Sequence, residues 1–141
     1  VVGFEYFEHA ADVGVRGFGA SPEEAFEGAA RALFRLVSKR LVPGGESGPE
    51  EIHCEASDVE ELLVSFLNEL ISVFDAKRLV FGRFELTISQ GPPARLQGRA
   101  WGQPFDPERH ESTVDPKGAT YTALRVARDD GRWTAQCVVD V

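Results

Sequence analysis

The spacing of apolar residues along the chain predicts two helices first. Phe26, Ala29, Ala30, Leu33, Phe34 and Val37 recur at steps of three and four and define one apolar helical face. Ser21-Pro22-Glu23-Glu24 marks where that helix begins. Ser21 can cap, Pro22 suits the first helical position, and Glu24 completes a capping box. The pattern stops before Pro43-Gly44-Gly45. A second helix opens at Ser57-Asp58-Val59-Glu60, capped by Ser57 with Glu60 or by Asp58 with Glu61. Leu62, Leu63, Phe66, Leu67, Leu70, Ile71 and Phe74 then form a strong stripe. Both stripes read as core.

Elsewhere the period is two, the signature of half-buried strands. Phe4–Glu8, Val13–Phe18, Glu51–Glu55, the alternating Phe84, Leu86 and Ile88, Arg95–Trp101, Thr120–Arg128 and Arg132–Val141 all read as strands. Asp129-Asp130-Gly131 is a tight-turn signal that makes the last two a hairpin. Four strands in succession after the second helix argue against a doubly wound parallel sheet. The expectation is one α+β domain over residues 1–141: a largely antiparallel, twisted β-sheet with two amphipathic helices packed on one face. There is no internal repeat and no linker, and Gly44–Pro49 is the most flexible internal loop by composition.

Composition leaves that picture intact. At 141 residues and 43% hydrophobic the chain can bury a core without staples. No apolar run approaches the roughly 20 residues a membrane helix needs, and the start lacks the basic and apolar pattern of a signal peptide. Cys54 and Cys137 are far apart, make no C-x-x-C pair, and read as buried free thiols. A cytoplasmic location is the expectation.

Charge narrows the function. Fifteen Lys plus Arg against twenty-three Asp plus Glu give a net charge of −8. Gripping nucleic acid unaided requires a basic patch, and the basic residues here are scattered, Arg31, Arg35, Lys39 and Arg40 forming the densest group. Little direct nucleic-acid binding is expected, and a basic protein partner or a cation suits the sign.

Common enzyme signatures are absent: no phosphate-cradling glycine loop with lysine, no dinucleotide fingerprint, no H-E-x-x-H. His9, His53 and His110 have no metal-ligand spacing. Two places stand out. Glu8-His9-Ala10-Ala11-Asp12 packs two carboxylates and an imidazole between one strand and the next. At the other end Asp140 closes the apolar strand Cys137-Val138-Val139, next to Val141, whose carboxylate adds a further negative group if the chain ends there. Asp140 either marks where the strand meets water or converges with Asp12 on a hard cation such as calcium or magnesium, which relieves the repulsion of clustered oxygens. A third segment, Gly102–His110 followed by Asp115–Tyr121, reads as an ordered loop, with Lys117 standing alone just before a strand. A solvated lysine is the plain reading of Lys117.

Several motifs taken together resemble the archease family. They are Glu8-His9-x-Ala11-Asp12-Val13-Gly14, the S-P-E-E-A-F helix start, Leu62–Asp75, the run G-x-P-F-D-P-E-R-H from Gly102 to His110, Lys117-x-x-Thr120-Tyr121, and Asp140-Val141. They keep order and spacing over almost the whole chain. The resemblance implies a non-enzymatic accessory role in transfer-RNA splicing, with the metal-dependent 3′-phosphate/5′-hydroxyl RNA ligase as partner. It implies promotion of ligase guanylylation and multiple turnover. It places the family's divalent metal, calcium first and magnesium or manganese as alternatives, on Asp12, Asp140 and the Val141 carboxylate. The ligase-activation lysine falls on Lys117, and Glu8 and His9 take a supporting place. The sequence departs from the family pattern at Ala10, where a threonine is common. An alternative is a chaperone-like modulator of another RNA-processing enzyme, such as a tRNA methyltransferase, acting by surface and indifferent to chelators. A metal-dependent hydrolase is a further one, with only His9 and His110 offering themselves as bases.

Overall fold

The computed structural model describes residues 2–39, 48–110 and 114–141, with Arg109 and His110 described by their backbone alone. The strands are β1 Gly3–His9, β2 Asp12–Gly19, β3 Glu50–Ala56, β4 Leu79–Ser89, β5 Ala94–Pro104, β6 Gly118–Ala119, β7 Arg125–Asp129 and β8 Arg132–Asp140. The helices are α1 Pro22–Val37, α2 Val59–Lys77 and the single turn α3 Pro107–His110. Most of the loop read at Gly44–Pro49 lies outside the described residues.

Both long helices start as their caps predict. Ser21 Oγ accepts the Glu24 N–H at 3.2 Å, and the Glu24 carboxylate accepts the Ala20 N–H at 3.0 Å, satisfying donors a helix leaves open. Of the two caps offered for α2, Asp58 takes the role, its Oδ1 accepting the Glu61 N–H at 2.8 Å. Next to each cap a glutamate reaches a strand: Glu23 accepts the Ile88 N–H and Glu60 the Val126 N–H, both at 3.1 Å. The caps therefore fix where strands β4 and β7 lie as well as where the helices begin.

The class, the antiparallel pairing and the two packed helices are as the pattern predicts, but the strands divide into two sheets. One runs β1-β2-β8, with β6 and β7 both paired to the outer edge of β8; the other is β3-β5-β4. Alternation tells which side of a strand is apolar and is silent on which edge finds which partner. Helix α1 packs on β1, β2 and β8 and touches β4, while α2 packs on β3 and β5 and reaches β6, β7 and β8. The helices therefore form a layer between the sheets and cover one face of each. Phe26, Phe34, Phe66 and Phe74 are buried within that layer, and Phe81 of β4 meets Phe34 edge-on at 5.5 Å. No helix among the described residues is long and apolar enough to cross a membrane.

One close approach sets the seat of β2. A Cβ on Gly17 would lie 2.0 Å from the Ala25 carbonyl oxygen, and one on Gly28 would lie 2.9 Å from the Gly17 Cα. Strand and helix meet backbone to backbone, which only glycine permits.

The segment read as one strand, Thr120–Arg128, is instead a turn through Tyr121–Ala123 and then strand β7, with the two-residue strand β6 lying just before it. Local side-chain chemistry breaks it: Thr120 Oγ1 donates to the Val138 carbonyl at 2.9 Å and receives the Thr122 N–H at 3.2 Å, and Ala123 turns through φ 54°. The hairpin at Asp129-Asp130-Gly131 forms as read. Asp129 pairs with Arg132, and Asp130 and Gly131 sit at φ 52° and 77°, as a two-residue primed turn requires.

Candidate functional site

Strands β2 and β8 are neighbours, and their register carries the site. Val13 pairs with Val139 and Val15 with Cys137. One step beyond, the same register sets Asp12 opposite Asp140. Val15, Cys137 and Val139 are buried on the helix side. Alternation therefore sends both aspartates to the other face of the sheet, where opposed residues are close neighbours. Asp12 is half-buried and Asp140 exposed. The Val141 N–H points at Asp12 Oδ1 across 3.4 Å, so the end of β8 is tied to the start of β2.

The remaining sequence-read residues arrange themselves around this pair. His9 pairs with Asp12 and Glu8 with Val13, so His9 shares the aspartate face and Glu8 belongs to the other. Both are exposed. Ala10, in the turn between β1 and β2, adopts φ 54°. Lys117 is exposed, and its N–H donates to the Asp140 carbonyl at 2.8 Å. Gly118 then pairs with Asp140 and Ala119 with Val139. The structure thus brings Asp12, Asp140, Val141, Lys117 and His9 to one end of one sheet, from three distant parts of the chain.

The donor set suits a hard divalent cation. Among the described residues neither Asp12 nor Asp140 has an arginine or lysine salt-bridge partner. Two adjacent carboxylates left unneutralised repel, and oxygen-only donors match calcium or magnesium. The side chains alone make half a site: no group of three or more His, Cys, Asp or Glu among the described residues could hold a metal ion. Water or a partner's oxygens would have to complete the coordination.

Other sequence-read features lie elsewhere. Phe105 packs edge-on against Phe74 at 5.3 Å, with the Arg78 guanidinium 5.1 Å above its ring, and its N–H donates to the Arg78 carbonyl at 2.7 Å. The Phe-Asp loop is therefore an ordered seal at the end of α2. His53 lines an open groove of about 390 Å³ with Cys54, Asn68, Glu69 and Tyr121, and neither Asp12 nor Asp140 is among its lining residues. Burial pushes the Cys137 thiol up to about 12, and burial with the nearby Glu69 charge pushes Cys54 up to about 11. A thiol held protonated is a poor nucleophile, which agrees with two structural free cysteines.

One residue of the neighbourhood was not singled out by sequence. Asn68, half-buried on α2, donates through Nδ2 to the Ala119 carbonyl at 3.2 Å and accepts the Ala119 N–H through Oδ1 at 2.8 Å. The one available signal was an amide side chain set between Leu67 and Leu70 of an apolar stripe.

Residues 4–141 match the model of the Archease protein family. Among curated relatives, the Pyrococcus furiosus protein archease is 44% identical over 142 residues, covering 98% of both chains. The Sulfolobus acidocaldarius protein archease is 36% identical, again over 98% of each. The solution structure of Methanobacterium thermoautotrophicum protein 1598 superposes with a TM-score of 0.82 at 30% identity, covering 99% of each chain. A crystal structure of a Thermotoga maritima archease, described as a possible chaperone, gives 0.57 at 19% identity and speaks to the fold alone.

Proposed function

The chain belongs to the archease family, and from that premise we propose that it is an accessory activator of the metal-dependent RNA ligase of transfer-RNA splicing. It promotes guanylylation of the ligase and its return to that state for further turnovers. The observation that carries this reading is the register of β2 against β8, which sets Asp12 opposite Asp140 with Lys117 tied to the same strand end.

Each residue then has a task. Asp12 and Asp140, with the Val141 carboxylate, would hold a divalent cation, calcium first, at this end of the sheet. Bound there, the ion would supply fixed positive charge toward the phosphates of the ligase's nucleotide. Lys117 supplies a second positive group from the adjoining segment. Phosphoryl-type transfer gains from positioned charge and asks little covalent chemistry of a helper. His9, on the same face, can accept or donate a hydrogen bond to the carboxylates or to a partner. With a net charge of −8, the domain is drawn to a basic ligase surface.

The test is ligase guanylylation with labelled GTP and limiting divalent metal, with and without this protein. Stimulation by the wild type should fall by about tenfold or more in Asp12→Ala, Asp140→Ala and Lys117→Ala. Full stimulation by all three variants would sink the reading and leave a role exerted through binding surface alone.

A further inference from the structure

Strand β6 should not hold itself in place. It is two residues long, pairs only with the end of β8, and is followed at once by the turn at Tyr121–Ala123. Yet Lys117, the residue just before it, is the one whose position matters to the proposed activation. One edge of β6 is satisfied by β8. On the other edge, where a further strand would lie, stands the Asn68 side chain, meeting the Ala119 N–H and C=O together at 2.8 Å and 3.2 Å.

A primary amide presents a carbonyl and an N–H side by side, spaced like the two groups one residue offers along a strand edge. Asn68 therefore acts as a one-residue strand supplied by a helix. Ala119 is buried, so its backbone groups have no ready water to replace the amide. The Lys117 N–H is held by the Asp140 carbonyl two residues earlier, and Thr120 is held by the Val138 carbonyl one residue later. Among the described residues, Ala119 is where this short segment is hydrogen-bonded to α2, through both its N–H and its C=O.

We propose that Asn68 is a positioning residue for Lys117: by clamping Ala119 it registers β6 against β8 and holds the lysine beside the Asp12–Asp140 pair. This rests on the activator reading above, in which Lys117 acts on the ligase. It assigns a role to a residue of α2 that acts through the Ala119 backbone. Leu or Ala at this position would keep the helix and its packing and lose the clamp.

The test joins amide hydrogen exchange with ligase stimulation, on full-length wild type, Asn68→Ala, Lys117→Ala and the double variant. In Asn68→Ala the Lys117 and Ala119 amides should exchange about tenfold faster or more, while those of Val15 and Leu67 stay as in the wild type. Ligase stimulation should fall to within about threefold of Lys117→Ala, and the double variant should lose no more than Lys117→Ala alone, the non-additivity of one shared function. Calcium affinity, read by calorimetry, should stay within about threefold of wild type, which separates lost positioning from general damage. Unchanged exchange at Lys117, or losses that multiply in the double variant, overturns the proposal. If Lys117→Ala stimulates fully, the activator reading fails and this inference with it. If Lys117→Ala fails to stimulate and Asn68→Ala stimulates fully, only this inference falls. Should Asn68→Ala lose its cooperative melt, Asn68→Asp, which keeps the acceptor for the Ala119 N–H and loses the donor, is read by the same criteria.

Discussion

Asp12 and Asp140 stand opposite one another on adjacent strands although nearly the whole chain separates them. The pairing of Val13 with Val139 forces this arrangement, and the 3.4 Å approach of the Val141 N–H to Asp12 Oδ1 ties it from the other side. Among the described residues neither carboxylate has an arginine or lysine partner, and like charges set opposite one another on a sheet are destabilising.

That cost is measurable. Asp140→Asn removes one charge of the pair and keeps the side-chain shape. In chelator the variant should melt at or above the wild type, by an increment of about 0.5 kcal/mol. In excess calcium the order should reverse, because only the wild type gains the stabilisation of a ligand bound to the native state. Thermal melts under both conditions read this directly. A variant less stable than wild type in chelator would mean that Asp140 is held by favourable contacts instead.

The turn beneath the site is strained. Ala10 sits at φ 54°, between His9 and Asp12, in a region that costs a residue with a Cβ roughly 1–2 kcal/mol. Glycine removes that cost and adds some chain entropy to the unfolded state. Ala10→Gly should raise stability by about 0.5 kcal/mol in urea unfolding, with no change in ligase stimulation. A drop of more than about 1 kcal/mol would show that the alanine methyl makes contacts of its own.

Gly17 shows the opposite case. Its missing Cβ is what lets α1 lie on β2, 2.0 Å being the distance left to the Ala25 oxygen. Gly17→Ala should therefore destabilise by about 3 kcal/mol or more, since backbone must move on one side or the other. A chain that tolerates alanine there with its melting point unchanged would contradict the backbone-to-backbone packing.

Tyr6 gives a pH dependence of definite sign. Its phenol donates to the Ala32 carbonyl at 2.7 Å, and burial pushes its pKa up to about 12, the Arg35 charge opposing in small part. The folded state thus favours the protonated phenol. The stability this contributes is complete below the ordinary tyrosine range near 10 and is lost as pH rises through about 12. The phenol is 41% exposed, so solvent screening keeps the effect small. The ultraviolet difference titration of wild type against Tyr6→Phe should show one phenolate appearing near pH 12. Ionisation near 10 would contradict the burial of the phenol.

Features written in short stretches were legible in the sequence. Both helix starts, both apolar stripes and the Asp129–Gly131 turn depend on neighbours within a few residues, and they appear where the pattern put them. Partner choice between strands was not legible, because Ile52, Val15 and Cys137 each announce an apolar side without saying which edge they meet. This is why one expected sheet became two. Thr120 misled because its hydroxyl bonds backbone groups that a longer strand would have used. At the site, Asp12, Asp140 and Lys117 were each conspicuous alone, and only the fold brings them together. Asn68 looked like an interruption of a core stripe until Ala119 was placed against it.

The central claim is that the two ends of the chain build one cation site, and calorimetric titration tests it most directly. Calcium and magnesium are titrated into chelator-stripped wild type, Asp12→Ala and Asp140→Ala. The account predicts one binding event in the wild type and none in either variant. A wild type that binds neither ion, or variants that bind as well as the wild type, would contradict it.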